Sequence, residues 1–337
     1  MSGQILAHET WFEPGSFPVD LGFASEGATV ALLGMAVAVT VAIRLAARVR
    51  PGIDIPWLAR MAPFMPFAIR LHLAVSLLGL LSLGYYLSPA MQLKPNLPGL
   101  LLGAVMALVT VGMASGWRTR PAAGLLVAAG PLGMFEFGVV PVLERVDLLG
   151  LAVFVLIAGP GRWSADVEQG RAGEPGETAL ARAVWCLRVA AGGALVFVAF
   201  TEKLARPELA LAFLANNPEL NVAQAVGIDM SNLEFIRMAG TAEVLFGLLL
   251  ISGALPQVGV VIIGIPFNAT LWFFGNVELV GHLPVYGAML ALLVFGSHPT
   301  MRPRVSELWP WSRPTATRAD RSVAPSPAPG ASPAEAR

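Results

Sequence analysis

A single cysteine, Cys186, stands among 337 residues. One thiol excludes an intramolecular disulfide, a four-thiolate zinc site and a cysteine-ligated iron–sulfur cluster, and no CxxCH haem attachment is present. Charge is scarce as well. Only 13% of residues are charged, against roughly 25% in an ordinary soluble domain. Formal net charge is zero, so no overall field gathers nucleic acid or acidic substrates, and no nucleic-acid partner is expected. The segment from Met1 to Glu26 lacks any basic residue but carries Glu9, Glu13, Asp20 and Glu26, the wrong charge for the start of a cleaved signal peptide. Phosphate-binding loops, dinucleotide fingerprints and nucleophile elbows are all missing. Only Glu278-x-x-x-His282 carries metal-binding spacing, which by itself is a low-specificity signal, so no metal site is expected.

What is abundant is apolar sequence. Hydrophobic residues make up 55% of the chain, and mean hydropathy is +0.68. Apolar runs of about 20 residues, the length needed to cross roughly 30 Å of hydrocarbon, recur along most of it. They predict an all-α, polytopic transmembrane bundle with spans near 27–49, 68–88, 97–116, 121–141, 143–160, 180–202, 233–253, 256–275 and 277–297. The stretch 204–216 is too short to span and is expected to lie at the interface, with Pro207 as its starter.

Arginine placement orients the spans. Arg44, Arg48, Arg50, Arg60 and Arg70 fall between or beside spans one and two, and Arg118 and Arg120 between spans three and four. Arg162, Arg171 and Arg182 fall between spans five and six, and Arg302, Arg304, Arg313, Arg318 and Arg321 follow span nine. This pattern puts the N-terminus outside and the C-terminus in the cytoplasm. Residues 1–26 form an outer arm, 161–179 a cytoplasmic loop and 298–337 a cytoplasmic tail. From Thr315 the tail is rich in Pro, Ala and Ser, a composition that builds no core.

The chain also resembles itself. Phe135-Glu136-Phe137-Gly138 aligns with Trp272-Phe273-Phe274-Gly275, Gly150 with Gly287, and Arg70 with Arg188. Behind one extra N-terminal helix, two four-helix repeats are therefore expected, at 68–160 and 180–297. An even number of spans per repeat makes them parallel. The second copy keeps Glu202, Lys203, Glu243, Asn268, Glu278 and His282. In the first, Tyr86 stands for Glu202, and Pro141 and Arg145 stand for Glu278 and His282.

Ionisable groups inside a bilayer are costly, so each is a functional candidate. Glu243 lies mid-way along span seven, with Arg237 nearer the outer end. Glu202 and Lys203 close span six on the outer side. Glu278 and His282, four apart, share a face at the outer start of span nine. Asn268 follows Pro266 in span eight, where proline frees a carbonyl. Glu243, His282 and Glu278 are candidate proton-transfer groups, and Lys203, Glu202, Asn268 and Arg237 candidate binding groups. Glu144, Arg145 and Asp147 read as a solvated turn, and Gly192-Gly193 and Gly99 to Gly103 as sites of close helix packing.

The order Arg188, then Glu202-Lys203-Leu204, then Glu243-Val-Leu-Phe-Gly247 running on to Gly253 resembles the DoxX family of four-helix bacterial membrane proteins. Lys203 and Glu243 match the lysine that closes the family's first span and the glutamate before its glycine-rich second span. Gly281-His282-Leu283-Pro284-Val285-Tyr286-Gly287 fits the longer DoxX-like proteins. The resemblance covers about 185–297. It implies a bacterial inner-membrane protein and, through the family's link to thiosulfate:quinone oxidoreductase, a quinone-linked redox protein or subunit. A quinone would be the only cofactor, none being covalently bound, and the bilayer and a redox subunit the partners. Two other readings stand beside this one, a small-solute or proton-coupled transporter and a non-catalytic scaffold subunit.

Overall fold

The computed structural model describes residues 15–311 apart from Gly275, and the side chains at 225, 266, 269, 270, 272–278 and 280 lie outside that description. Within it the apolar runs become helices whose ends are set by local chemistry. Helix α1 is Gly27–Val49. Helix α2, Met65–Ser82, opens with Pro66 in its first turn. Helix α3, Leu97–Ser115, is capped by the Asn96 side chain and closed by Gly116 in the left-handed region. Helix α4 is Thr119–Phe137 and α5 Val146–Ala158. Helix α6, Glu177–Val198, continues as a π-helical turn through Ala199–Leu204. Helix α7 is Pro207–Asn216. Helix α8, Asn232–Ser252, begins with a capping box between Ser231 and Glu234 and ends on left-handed Gly253. Helices α9, Pro256–Phe274, and α10, Asn276–Gly296, complete the bundle.

Each expected apolar segment therefore carries a helix among the described residues. Five are long and apolar enough to cross a membrane: α1, α2 with its lead-in from Pro56, α3, α6 with its π-turn, and α8. Span two ends earlier than 88. The chain leaves α2 after Ser82, takes a positive φ at Gly84, and pairs Tyr85 with Gln92 in an isolated antiparallel bridge. Apolar Leu83, Tyr85, Tyr86 and Leu87 run on through this turn, so composition alone does not mark the stop. Helix α4 likewise ends before Gly138 at φ 88°, and a short helix, Val139–Leu143, leads to α5.

Helix α2 packs on α3, α5 and α10; α4 sits against α3 and α5. Helix α6 packs on α5, α8 and α10, and α9 joins α8 to α10. One continuous core runs through both halves, including Leu73 and Leu77 of α2, Phe154 of α5, Leu187 of α6 and Phe295 of α10. A second core holds Phe23, Leu204, Leu214, Ile236 and Val244, and seats α7 against α8. The outer faces are apolar too. Val30, Val37 and Val41 on α1, Leu100 and Val111 on α3, and Val261 and Ile265 on α9 are all exposed. Helices apolar on every side need a surrounding that is itself apolar.

Two buried arginines clamp the same end of the bundle. Arg70 Nη1 donates to Met113 O at 2.6 Å and Nη2 to Trp163 O at 2.8 Å, beside Gly116. Arg188 Nη1 donates to Val305 O at 2.7 Å and Nη2 to Glu307 O, beside Gly253. In each case a buried arginine of one helix meets the left-handed glycine that closes a neighbouring helix and the chain that follows the last helix of its half.

Candidate functional site

The bundle end opposite these arginines holds a cluster of charge. Helix α6 departs from α-geometry at Ala199–Leu204, and such π-helical turns often mark functional positions. This turn buries Glu202 completely and brings Lys203 Nζ to 3.1 Å from Glu243 Oε1 on α8. Helix α8 crosses α6 closely enough for that pairing because glycine faces glycine: a Cβ on Gly247 would stand 2.5 Å from Gly192 O. Gly193, by contrast, has open space around it. Of the glycine pair expected to allow close packing, one does so.

From α10, the His282 ring lies 4.5 Å from that of Phe267 on α9, centroid to centroid. Tyr286 donates to Phe267 O at 3.1 Å and steadies that helix pair. Glu202, Lys203, Glu243, Phe267 and His282 all line one cavity of about 70 Å³.

The turn before α5 completes its wall, and here the sequence-based expectation is corrected. Glu144, Arg145 and Asp147 are not solvated; they are 4%, 2% and 2% exposed and line the same cavity. The reason is the packing of α5 on α6 and α10, which covers a turn that would otherwise meet water. Arg145 Nε donates to Leu87 O at 3.0 Å and Nη1 to Gly281 O at 3.1 Å, tying the first half to α10. Its Nη1 also stands 3.7 Å from Asp147 Oδ2. Glu144 Oε1 accepts from Thr201 Oγ1 of the π-turn at 2.8 Å. A signal for this lay in the repeat register, where Arg145 falls on His282.

Other predicted residues sit elsewhere. Asn268 is exposed and returns its amide to Gly264 O at 2.7 Å, within its own helix. Arg237 pairs with Glu26, donates to Thr29 Oγ1 at 3.0 Å and lies over the Phe23 ring; it anchors the N-terminal segment to α8. The side chain of Glu278 lies outside the described residues, as do the N-terminal arm before residue 15 and the tail beyond 311.

No family model, curated protein or solved structure matches the chain. Function is therefore read from the geometry. Four carboxylates, a lysine, an arginine and a histidine line a small cavity inside an apolar bundle. Charges so placed persist only when paired and hydrogen-bonded.

Proposed function

We propose that this chain is a DoxX-like, multi-pass protein of a bacterial inner membrane, acting as a quinone-linked redox protein or as the membrane subunit of an oxidoreductase complex. Residence in the bilayer is supported by the five long apolar helices and the apolar outer faces. The reading of nine spans with the N-terminus outside adds the shorter apolar helices to these five and rests on the arginine-rich loops. A duplicated four-helix unit is supported by matching neighbours. The contacts of α2 with α3, α5 and α10 correspond to those of α6 with α8, α10 and α5, and Arg70 corresponds to Arg188.

The observation that carries the functional reading is the Lys203–Glu243 pair lining one small cavity with His282. Reducing a quinone consumes two electrons and two protons. In this proposal Glu243 is the proton carrier and His282 the group nearest an incoming ring, with Glu278, four residues before it in the sequence, as a further candidate carrier. Lys203 holds the ionised carboxylate, and electrons come from a partner subunit. An apolar cavity that takes up benzene measures about 150 Å³, twice the present volume, so the ring would dock at the Phe267–His282 edge rather than inside.

Mass spectrometry of small molecules extracted from purified wild type and Glu243→Gln tests this. A stoichiometric quinone in wild type, lost from a folded variant, is the expected result; background quinone in both removes the redox reading. The small cavity favours one other reading, a proton-coupled permease, for which uptake into proteoliposomes would depend on Glu243.

A further inference from the structure

The proton-handling reading of the cluster can be taken one step further, through a residue of the first half. Asp147 opens α5 and is 2% exposed. Its Oδ1 has no hydrogen-bond partner among the described residues, and its Oδ2, 3.7 Å from Arg145 Nη1, is beyond hydrogen-bond range. Glu243, lining the same cavity, presents the matching arrangement: Oε1 is engaged by Lys203, and Oε2 is buried without a partner among the described residues. Two buried carboxylate oxygens left dry would be costly. The cavity offers about 70 Å³, whereas one water needs roughly 10–15 Å³ of such space and two or more polar partners. The volume suffices, and both carboxylates belong to residues that line the cavity.

We propose that water in this cavity joins Asp147 to Glu243 and that the two exchange a proton, making Asp147 a second proton carrier of the site. The step balances simply. The O–H bond at Glu243 Oε2 breaks, its proton passes to water, and a water proton forms the new O–H bond at Asp147 Oδ1, with no change of oxidation state. Each acid has its own cation when ionised, Lys203 beside Glu243 and Arg145 beside Asp147, so the negative charge moves between two prepared positions. The other titratable groups facing this path are Glu144 on the preceding turn, Glu202 on the π-turn and His282 on α10. Glu144 is engaged by Thr201. The path crosses from one half of the bundle to the other, so neither half alone would hold it.

Infrared difference spectra after a pH jump, recorded on the full chain in detergent in light and heavy water, test the exchange without needing a quinone. Wild type is expected to show two protonated-carboxyl bands that shift in heavy water. Asp147→Asn should remove one and displace the other, and Glu243→Gln should do the converse. An Asp147→Asn spectrum that superimposes on wild type overturns the proposal while leaving Glu243 as a carrier. Absence of any band lost in Glu243→Gln sinks both this inference and the function it rests on. Should Asp147→Asn fail to fold, Asp147→Glu retains the acid and should move its band; unmoved bands there also overturn the proposal.

Discussion

At the scale of single residues, the cluster shows why an ion pair inside an apolar bundle is asymmetric. The Lys203–Glu243 pair, 12% and 28% exposed at the side chains, owes its tolerance to mutual compensation. Lys203→Met strands the carboxylate and should cost about 3 kcal/mol, read as a lower melting temperature in detergent. Lys203→Met combined with Glu243→Leu should regain most of that loss, because no uncompensated charge remains. Equal destabilisation by the single and double variants would show that the pair has no such coupling. Glu243, Glu202 and Lys203 were legible as candidates because charge within or closing a long apolar run has few innocent explanations. Glu144 to Asp147 were not, since a charged turn between two apolar runs reads the same whether water or a neighbouring helix covers it.

At the scale of elements, helix crossings and caps decide stability. A Cβ on Gly192 would meet the Gly247 carbonyl and the Ile251 side chain. Gly192→Leu should therefore force α6 and α8 apart at about 1–3 kcal/mol, whereas Gly193→Ala, with nothing within 4 Å, should leave the melting temperature close to wild type. In the short helix Ala165–Glu168 before α6, Asp166 accepts from the Arg118 amide at 2.9 Å and the Thr119 amide at 2.8 Å, capping α4. It also pairs with Arg171 at 3.1 Å. Burial alone would raise its carboxyl, but the Thr119, Arg118 and Arg171 hydrogen bonds outweigh it and hold the group below the ordinary aspartate value. A depressed folded-state value means that the stabilisation is present above the unfolded aspartate range and fades as pH falls through the folded value. Melting temperature followed against pH should show this loss in wild type and a flatter acid limb in Asp166→Ala, whose cost near neutrality should be about 1 kcal/mol.

At the scale of the whole molecule, the proposed orientation rests on where arginine collects. In a Cys186→Ala background, Asp229→Cys should react with a membrane-impermeant maleimide on intact cells, and Glu168→Cys only after the membrane is opened. Both positions are exposed, Asp229 before α8 and Glu168 at the end of the short helix Ala165–Glu168 before α6. The reverse pattern would invert the proposed topology and move the charge cluster to the cytoplasmic side. The proposed duplication has a consequence at this scale too, because α5, α6, α2 and α10 meet at the seam between the two halves. The cluster lies on that seam and draws on both halves.

The sequence by itself determined the helical class, the approximate placing of the apolar helices among the described residues and the acids and bases that stand out within them. Composition and period are local quantities, and burial in an apolar surrounding is inferred from them directly. Only the tertiary structure decided which charges meet. The approach of Lys203 to Glu243 depends on a π-helical turn and on a glycine crossing, and the burial of Asp147 on α6 and α10 closing over α5. Those are contacts between residues far apart in the chain, where no local pattern distinguishes a wet turn from a covered one.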